Sequence, residues 1–239
     1  MEHHMPNRGS SEPARPFTVL MVCTGNICRS PLAEQLLRSR LGEAGLHAST
    51  TVSSAGLGAV VGAPMEEHAA AVSLHFRGQP GEFRARQLRS AMVADADLVL
   101  TMTRAQRDEV IKRNPRALQR TFTLTEFSKL LSVSGGVELV ETATDAALAE
   151  AALLTKVPGA LPADAAADLA DSLRPHVQQL ARIRSRAQLL PEDDVTDPYR
   201  QSQQVHDAVG RQISLATSHL ALNIVGWVAE ARNSGRLSA

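Results

Sequence analysis

The chain has only two cysteines, Cys23 and Cys28, and both fall in Val19-Leu20-Met21-Val22-Cys23-Thr24-Gly25-Asn26-Ile27-Cys28-Arg29-Ser30-Pro31. Cys23 and Arg29 form a Cys-x5-Arg pair across a Gly-Asn turn, with Ser30 and Pro31 directly after it. A thiolate is a nucleophile suited to group transfer, and a guanidinium is a planar fork matched to phosphate oxygens. Between them, the backbone N–H groups of Thr24, Gly25, Asn26, Ile27 and Cys28 are expected to curl into an anion-binding nest. The following helix N-terminus adds partial positive charge, and that potential favours an ionised Cys23. A cysteine closing a buried strand is often just a small apolar core residue. Strand, turn, Arg-Ser and a proline at a helix start together favour the chemical reading.

The elements that must hold this loop are legible on either side. Phe17 to Val22 is an apolar, β-prone run, and Pro31 suits the first turn of a helix on which Leu32, Leu36, Leu37 and Leu41 share a face. Ala48 to Ser54 reads as a second strand, followed by a loop with Gly56, Gly58 and Gly62 and a helix from Pro64 to about Phe76. Asp97 to Met102 reads as a third strand. Thr103 is placed to cap a helix from Arg104 to Asn114, which Pro115 ends. Thr121 to Phe127 reads as a fourth strand. Alternating strands and helices predict an α/β fold, a four-stranded parallel sheet with helices on both faces. The site then lies at the carboxyl ends of the strands, where Cys23 falls.

From Ser132 to Leu190 the chain turns alanine-rich and helical in pattern, with Leu169, Leu173, Val177, Leu180 and Ile183 at helical spacing. Pro175 is expected to begin a helix rather than sit inside one. An acid-rich loop, Glu192 to Tyr199, leads into an amphipathic closing helix from Gln201 to about Ala231. The expected organisation is a disordered tail (1–16), an α/β domain (17–131 and 191–232), a helical insertion (132–190) and a short tail (233–239). The insertion is a candidate lid, partner surface or dimer contact, or an inert addition.

At the cysteine loop, Ser54-Ala55-Gly56, Ala85-Arg86-Gln87-Leu88, Asp97-Leu98-Val99-Leu100-Thr101-Met102 and above all Asp197-Pro198-Tyr199, the chain resembles the low-molecular-weight protein-tyrosine phosphatases. The resemblance implies a flavodoxin/Rossmann-like sheet and hydrolysis of phosphomonoesters, phosphotyrosine on proteins in particular, through a cysteinyl-phosphate. It implies Cys23 as nucleophile, Arg29 as oxyanion ligand and Asp197 as general acid. Asp193 and Asp194 are nearby competitors, but they lack the following proline that stiffens the backbone. It further implies that Ser30 steadies the thiolate, that Asn26 braced by Ser54 holds the loop, and that Tyr199 walls the substrate pocket. Cys28 is implied to form a reversible, protective bridge with Cys23. A histidine that braces Asn26 in the family is replaced here by Phe83. The position after Tyr199 is Arg200 rather than an aromatic, which points towards a more anionic substrate.

Basic and acidic residues balance at 25 each, which argues against nucleic acid or an anionic membrane as a whole-molecule partner. No metal or cofactor is expected. His3 and His4 lie in the tail, while His68, His75, His206 and His219 read as packing or surface residues. Arg84, Arg86 and Arg89 are either a basic approach to an anion or ordinary surface. No apolar run matches a membrane span or signal segment, and a catalytic thiol suits a reducing cytoplasm. An arsenate reductase of the same fold is the nearest rival reading. The thioredoxin-linked kind needs further cysteines, and Asp197-Pro198 has no leaving group to protonate in that reaction. A non-catalytic phosphate-sensing interaction protein is the third class.

Overall fold

The computed structural model describes residues 15–135, 166–235 and 237. Strands β1 (Phe17–Cys23), β2 (Thr50–Gly56), β3 (Leu98–Thr101) and β4 (Thr121–Thr123) form one sheet in the order β2-β1-β3-β4. Every pairing is parallel, as expected from the alternation of elements. The helices are α1 (Arg29–Glu43), α2 (Glu67–His75), α3 (Ser90–Asp95), α4 (Arg104–Arg113), α5 (Leu124–Val133), α6 (Ala166–Arg182) and α7 (Gln203–Asn233).

Side-chain alternation along β1 feeds two cores. Phe17, Val19, Met21 and Cys23 join the larger one, with Leu36 of α1, Leu130 of α5, and Ile213 and Leu220 of α7. Leu20 and Val22 join the smaller one on the opposite face, with Val93 of α3 and Val110 of α4. A strand buried on both faces has to read as an unbroken apolar run, and β1 does. From β1 the chain moves to β2 on one side, then returns to β3 on the other. The carboxyl end of β1 is therefore the switch point at which such sheets open a crevice. Cys23 is the last residue of β1, in register with Gly56 of β2.

Two local expectations are corrected. The fourth strand stops at Thr123 instead of continuing to Phe127. The Thr123 hydroxyl accepts from the Glu126 N–H while the Glu126 carboxylate accepts from the Thr123 N–H, and this capping box starts α5 at Leu124. Phe127 then packs edge-on against Phe122, with ring centroids 5.1 Å apart. Pro175 lies inside α6 rather than at its start. A proline inside a helix costs about 3 kcal/mol, but Leu169 and Leu173 before it and Val177 and Leu180 after it are all buried in the larger core. Continuity of that apolar face outweighs the lost backbone bond.

Helix α6 is thus packed into the same core as β1 and α7. It is also tied to the sheet at Asp97, whose carboxylate accepts from Arg174 Nε (2.8 Å), Arg15 Nη2 (2.9 Å) and the Thr18 N–H (2.9 Å). Arg15 is anchored by this contact, and Leu237 near the other end is buried in the larger core. His3, His4 and the stretch between Gly135 and Ala166 lie outside the described residues. Among the described residues, no helix is long and apolar enough to cross a membrane.

Candidate active site

The loop after β1 is shaped by where its carbonyl groups go. Those of Cys23, Thr24, Gly25 and Ile27 accept from the N–H groups of Leu57, Gly58, Val60 and Glu66 at 2.9–3.0 Å, so they are drawn towards the 57–66 segment. Gly56 makes that approach possible, because a Cβ there would stand 2.4 Å from the Thr24 carbonyl oxygen. Asn26, with φ of 55°, carries the left-handed turn. Its N–H donates to Cys23 Sγ at 3.3 Å. Among the described residues, the N–H groups of Gly25, Ile27, Cys28 and Arg29 have no acceptor. That is the donor pattern of an anion nest. The Ser30 hydroxyl, in the first turn of α1, lies 2.9 Å from the same sulfur.

A buried network fixes Asn26. Its Nδ2 donates to Ser30 Oγ (3.0 Å) and Ser54 Oγ (2.8 Å), and its Oδ1 accepts from the Arg86 N–H (2.9 Å). The Arg86 guanidinium donates in turn to the Ser54 carbonyl at 2.7 Å. Phe83, where the family has a histidine, is buried in the larger core instead, and the Arg86 N–H satisfies the asparagine oxygen. Glu34, not singled out from the sequence, belongs to this network. Its Oε2 accepts from Ser54 Oγ at 2.6 Å, its Oε1 is paired with Arg38, and it is 4% exposed. A glutamate with an arginine four positions on reads as a solvated helix pair, so its role shows only once β2 is laid beside α1.

Asp197 reaches the loop from the far end of the chain. Arg29 Nη2 donates to Asp197 Oδ2 at 2.6 Å and Nη1 to the Val195 carbonyl at 3.1 Å, while Val195 N–H donates to Met102 at the end of β3. The acid loop is therefore pinned at two strand ends. Arg29 is 95% buried, and its Nε has no partner among the described residues. The Asp197 side chain is 55% exposed at the mouth. The competitors are engaged elsewhere: Asp193 with Lys129 Nζ (2.7 Å) and the Leu190 N–H (2.6 Å), and Asp194 with the N–H and guanidinium of Arg104.

Tyr199 is 44% exposed, its N–H donates to Asp197 Oδ1 at 3.3 Å, and the Arg200 guanidinium lies 5.1 Å from its ring centre. Aliphatic Ile27 and exposed Val60 both come close to Gly25 on the loop. Thr24 Oγ1 accepts from Gln106 Nε2 at 3.1 Å. Cys28 is buried, and desolvation, reinforced by Glu66 and Cys23, pushes its thiol up to about 12. Both cysteines are free thiols. Beside the loop, Glu66, His68 and His206 come together from the start of α2 and the first turn of α7. The sequence expectation for the two histidines was packing or surface.

A family model described as low molecular weight phosphotyrosine protein phosphatase matches residues 18–136. The probable low molecular weight protein-tyrosine-phosphatase EpsP of Ralstonia nicotianae is 41% identical over 112 residues, 47% of this chain and 73% of that protein. A protein-arginine-phosphatase of Geobacillus stearothermophilus is 38% identical over 112 residues, 47% of this chain and 72% of that protein. Among solved structures, the Erwinia amylovora tyrosine phosphatase AmsI has a TM-score of 0.54 at 22% identity, covering 88% of this chain and 94% of that one. Wzb from Escherichia coli K30 in complex with sulphate has a TM-score of 0.55 at 22% identity, covering 86% and 96%. At that identity the structural likeness speaks for the fold, whereas the match to EpsP speaks for descent. The chain belongs to the low-molecular-weight protein-tyrosine-phosphatase family.

Proposed function

We propose that the protein hydrolyses phosphomonoesters, phosphotyrosine on proteins in particular, by two in-line displacements at Cys23. In the first, the sulfur attacks phosphorus, the S–P bond forms and the bond to the leaving oxygen breaks. Asp197, protonated, gives its proton to that oxygen. In the second, Asp197 takes a proton from water as the water attacks phosphorus, the S–P bond breaks and orthophosphate leaves. The loop N–H groups and Arg29 hold the equatorial oxygens, where charge accumulates. The Ser30 hydroxyl steadies the sulfur as a leaving group.

The contact between Arg29 and Asp197 carries this reading, since it brings a carboxylate to the thiol loop from the opposite end of the chain. An incoming oxyanion competes with that carboxylate for the guanidinium. Once displaced, Asp197 stands at the rim, near the leaving oxygen. Tyr199, Ile27 and Val60 support an aromatic leaving group through apolar contact at the rim, while the protein-arginine-phosphatase relative makes a phosphoarginine peptide the informative comparison. Partners are accordingly phosphoproteins or small phosphomonoesters. The 132–190 segment remains a candidate contact for a second protein or a second copy.

Turnover of phenyl phosphate and p-nitrophenyl phosphate tests the chemistry. Cys23→Ser is expected to abolish hydrolysis. Asp197→Asn should lower kcat by about 10²–10⁴, with the larger loss on phenyl phosphate, whose leaving group needs the proton more. Full hydrolysis by Cys23→Ser overturns the mechanism, and unchanged kcat of Asp197→Asn on phenyl phosphate overturns the acid. A kcat/KM for a phosphotyrosine peptide below that for a phosphoarginine peptide overturns the substrate class.

A further inference from the structure

We propose that Glu66, His68 and His206 bind one divalent transition-metal ion of the zinc class on the flank of the phosphate loop. The three side chains each offer a ligand atom, and these atoms lie within 4.8 Å of one another. Two imidazoles and one carboxylate form the nitrogen–oxygen donor set that borderline ions such as Zn²⁺ and Co²⁺ take. Mg²⁺ and Ca²⁺ prefer oxygen alone. Three protein ligands leave a fourth position to solvent, the open form of such sites.

The fold builds this arrangement deliberately at one helix crossing. Gly210 of α7 lies so near Val72 of α2 that a Cβ there would stand 2.4 Å from Val72 Cγ1. One turn earlier on each helix, on the same faces, are His206 and His68. Their ring centroids are 5.1 Å apart. Glu66, the N-cap of α2, accepts from the Ala69 N–H through Oε2 and contacts His68 Nδ1 at 3.0 Å through Oε1.

Packing alone does not account for His206. Its side chain is 98% buried; among the described residues its Nε2 has no hydrogen-bond partner, and its Nδ1, the nitrogen that meets Glu66, is 3.6 Å from Oε2, beyond a good hydrogen bond. A cation between His206 Nδ1 and the Glu66 carboxylate would close the gap that is too long for a hydrogen bond. Ligand atoms around a tetrahedral ion with bonds of about 2.0–2.1 Å must stand closer than 4.8 Å, so the cluster contracts on binding. His68, 46% exposed, is free to supply that movement. The site also touches the loop, since the Glu66 N–H donates to the Ile27 carbonyl at 2.9 Å.

Co²⁺ and Zn²⁺ titration of full-length Cys23→Ser protein tests the site with the loop nucleophile removed as a competing ligand. One Co²⁺ per chain is expected, with visible d–d bands, no near-ultraviolet thiolate charge transfer, and displacement by Zn²⁺. Adding His68→Ala is expected to weaken binding at least tenfold, and His206→Gln to abolish it. In the otherwise native chain, His68→Ala should keep aryl phosphatase turnover, which shows that the fold is intact. If His206→Gln does not fold, His68→Ala decides alone. No binding at millimolar Co²⁺, a thiolate charge-transfer band, or unchanged affinity in His68→Ala overturns the proposal.

Discussion

Desolvation, the Glu66 carboxylate and Cys23 raise the Cys28 thiol from an ordinary value near 9 to about 12, with Asp197 adding to the rise and Arg29 opposing it. Above about pH 9 the unfolded chain loses a proton that the folded chain retains. Stability from this residue is therefore complete below that pH and is lost as pH rises towards about 12. The urea midpoint of the native protein is expected to fall more steeply between pH 9 and pH 11 than that of Cys28→Ala; parallel profiles would contradict this. The same burial slows any bridge to Cys23, because the attacking form of a thiol is the thiolate. Residue type and spacing single out Cys23, Arg29 and the turn residue Asn26, and the resemblance to the family adds Ser30, Ser54 and Asp197. Glu34 and His206 were not legible there, because each looks ordinary on its own helix and gains its role only from a neighbour distant in sequence.

At the scale of elements, the crossing of α2 and α7 depends on Gly210. Replacing it with alanine improves helix propensity by about 1 kcal/mol but drives a methyl into Val72, and overpacking of this kind costs about 1–3 kcal/mol. Gly210→Ala is expected to lower stability by about 1 kcal/mol in urea unfolding, and Val72→Ala in the same chain should recover part of it. A more stable Gly210→Ala protein would show that the helices separate without cost. The elements themselves were mostly legible, since β1 reads as an apolar run and Thr103 does cap α4, accepting from the Gln106 N–H. The departures at Phe127 and Pro175 share one cause: local preference favours a strand residue in one case and a helix start in the other, but a capping box and a continuous buried face prevail.

At the scale of the molecule, Asp97 joins the start of β1, the amino-terminal Arg15 and α6 through a side chain that is 3% exposed. Removing Asp97 strips the acceptor from the Thr18 N–H and returns the partly exposed Arg15 and Arg174 to solvent, so Asp97→Ala is expected to cost about 1–3 kcal/mol, read as a lowered Tm with the site chemistry retained. An unchanged Tm would mean that α6 docks by apolar contact alone. The clasp between Arg29 and Asp197 has a consequence for selectivity in a phosphate-rich solution. In the mechanism proposed above, a tethered carboxylate already occupies part of the receptor, so dissolved orthophosphate must evict an internal rival that is always at hand. A ligand that also presses an organic group against the rim has extra leverage for that eviction. The resting molecule therefore guards itself against its own product.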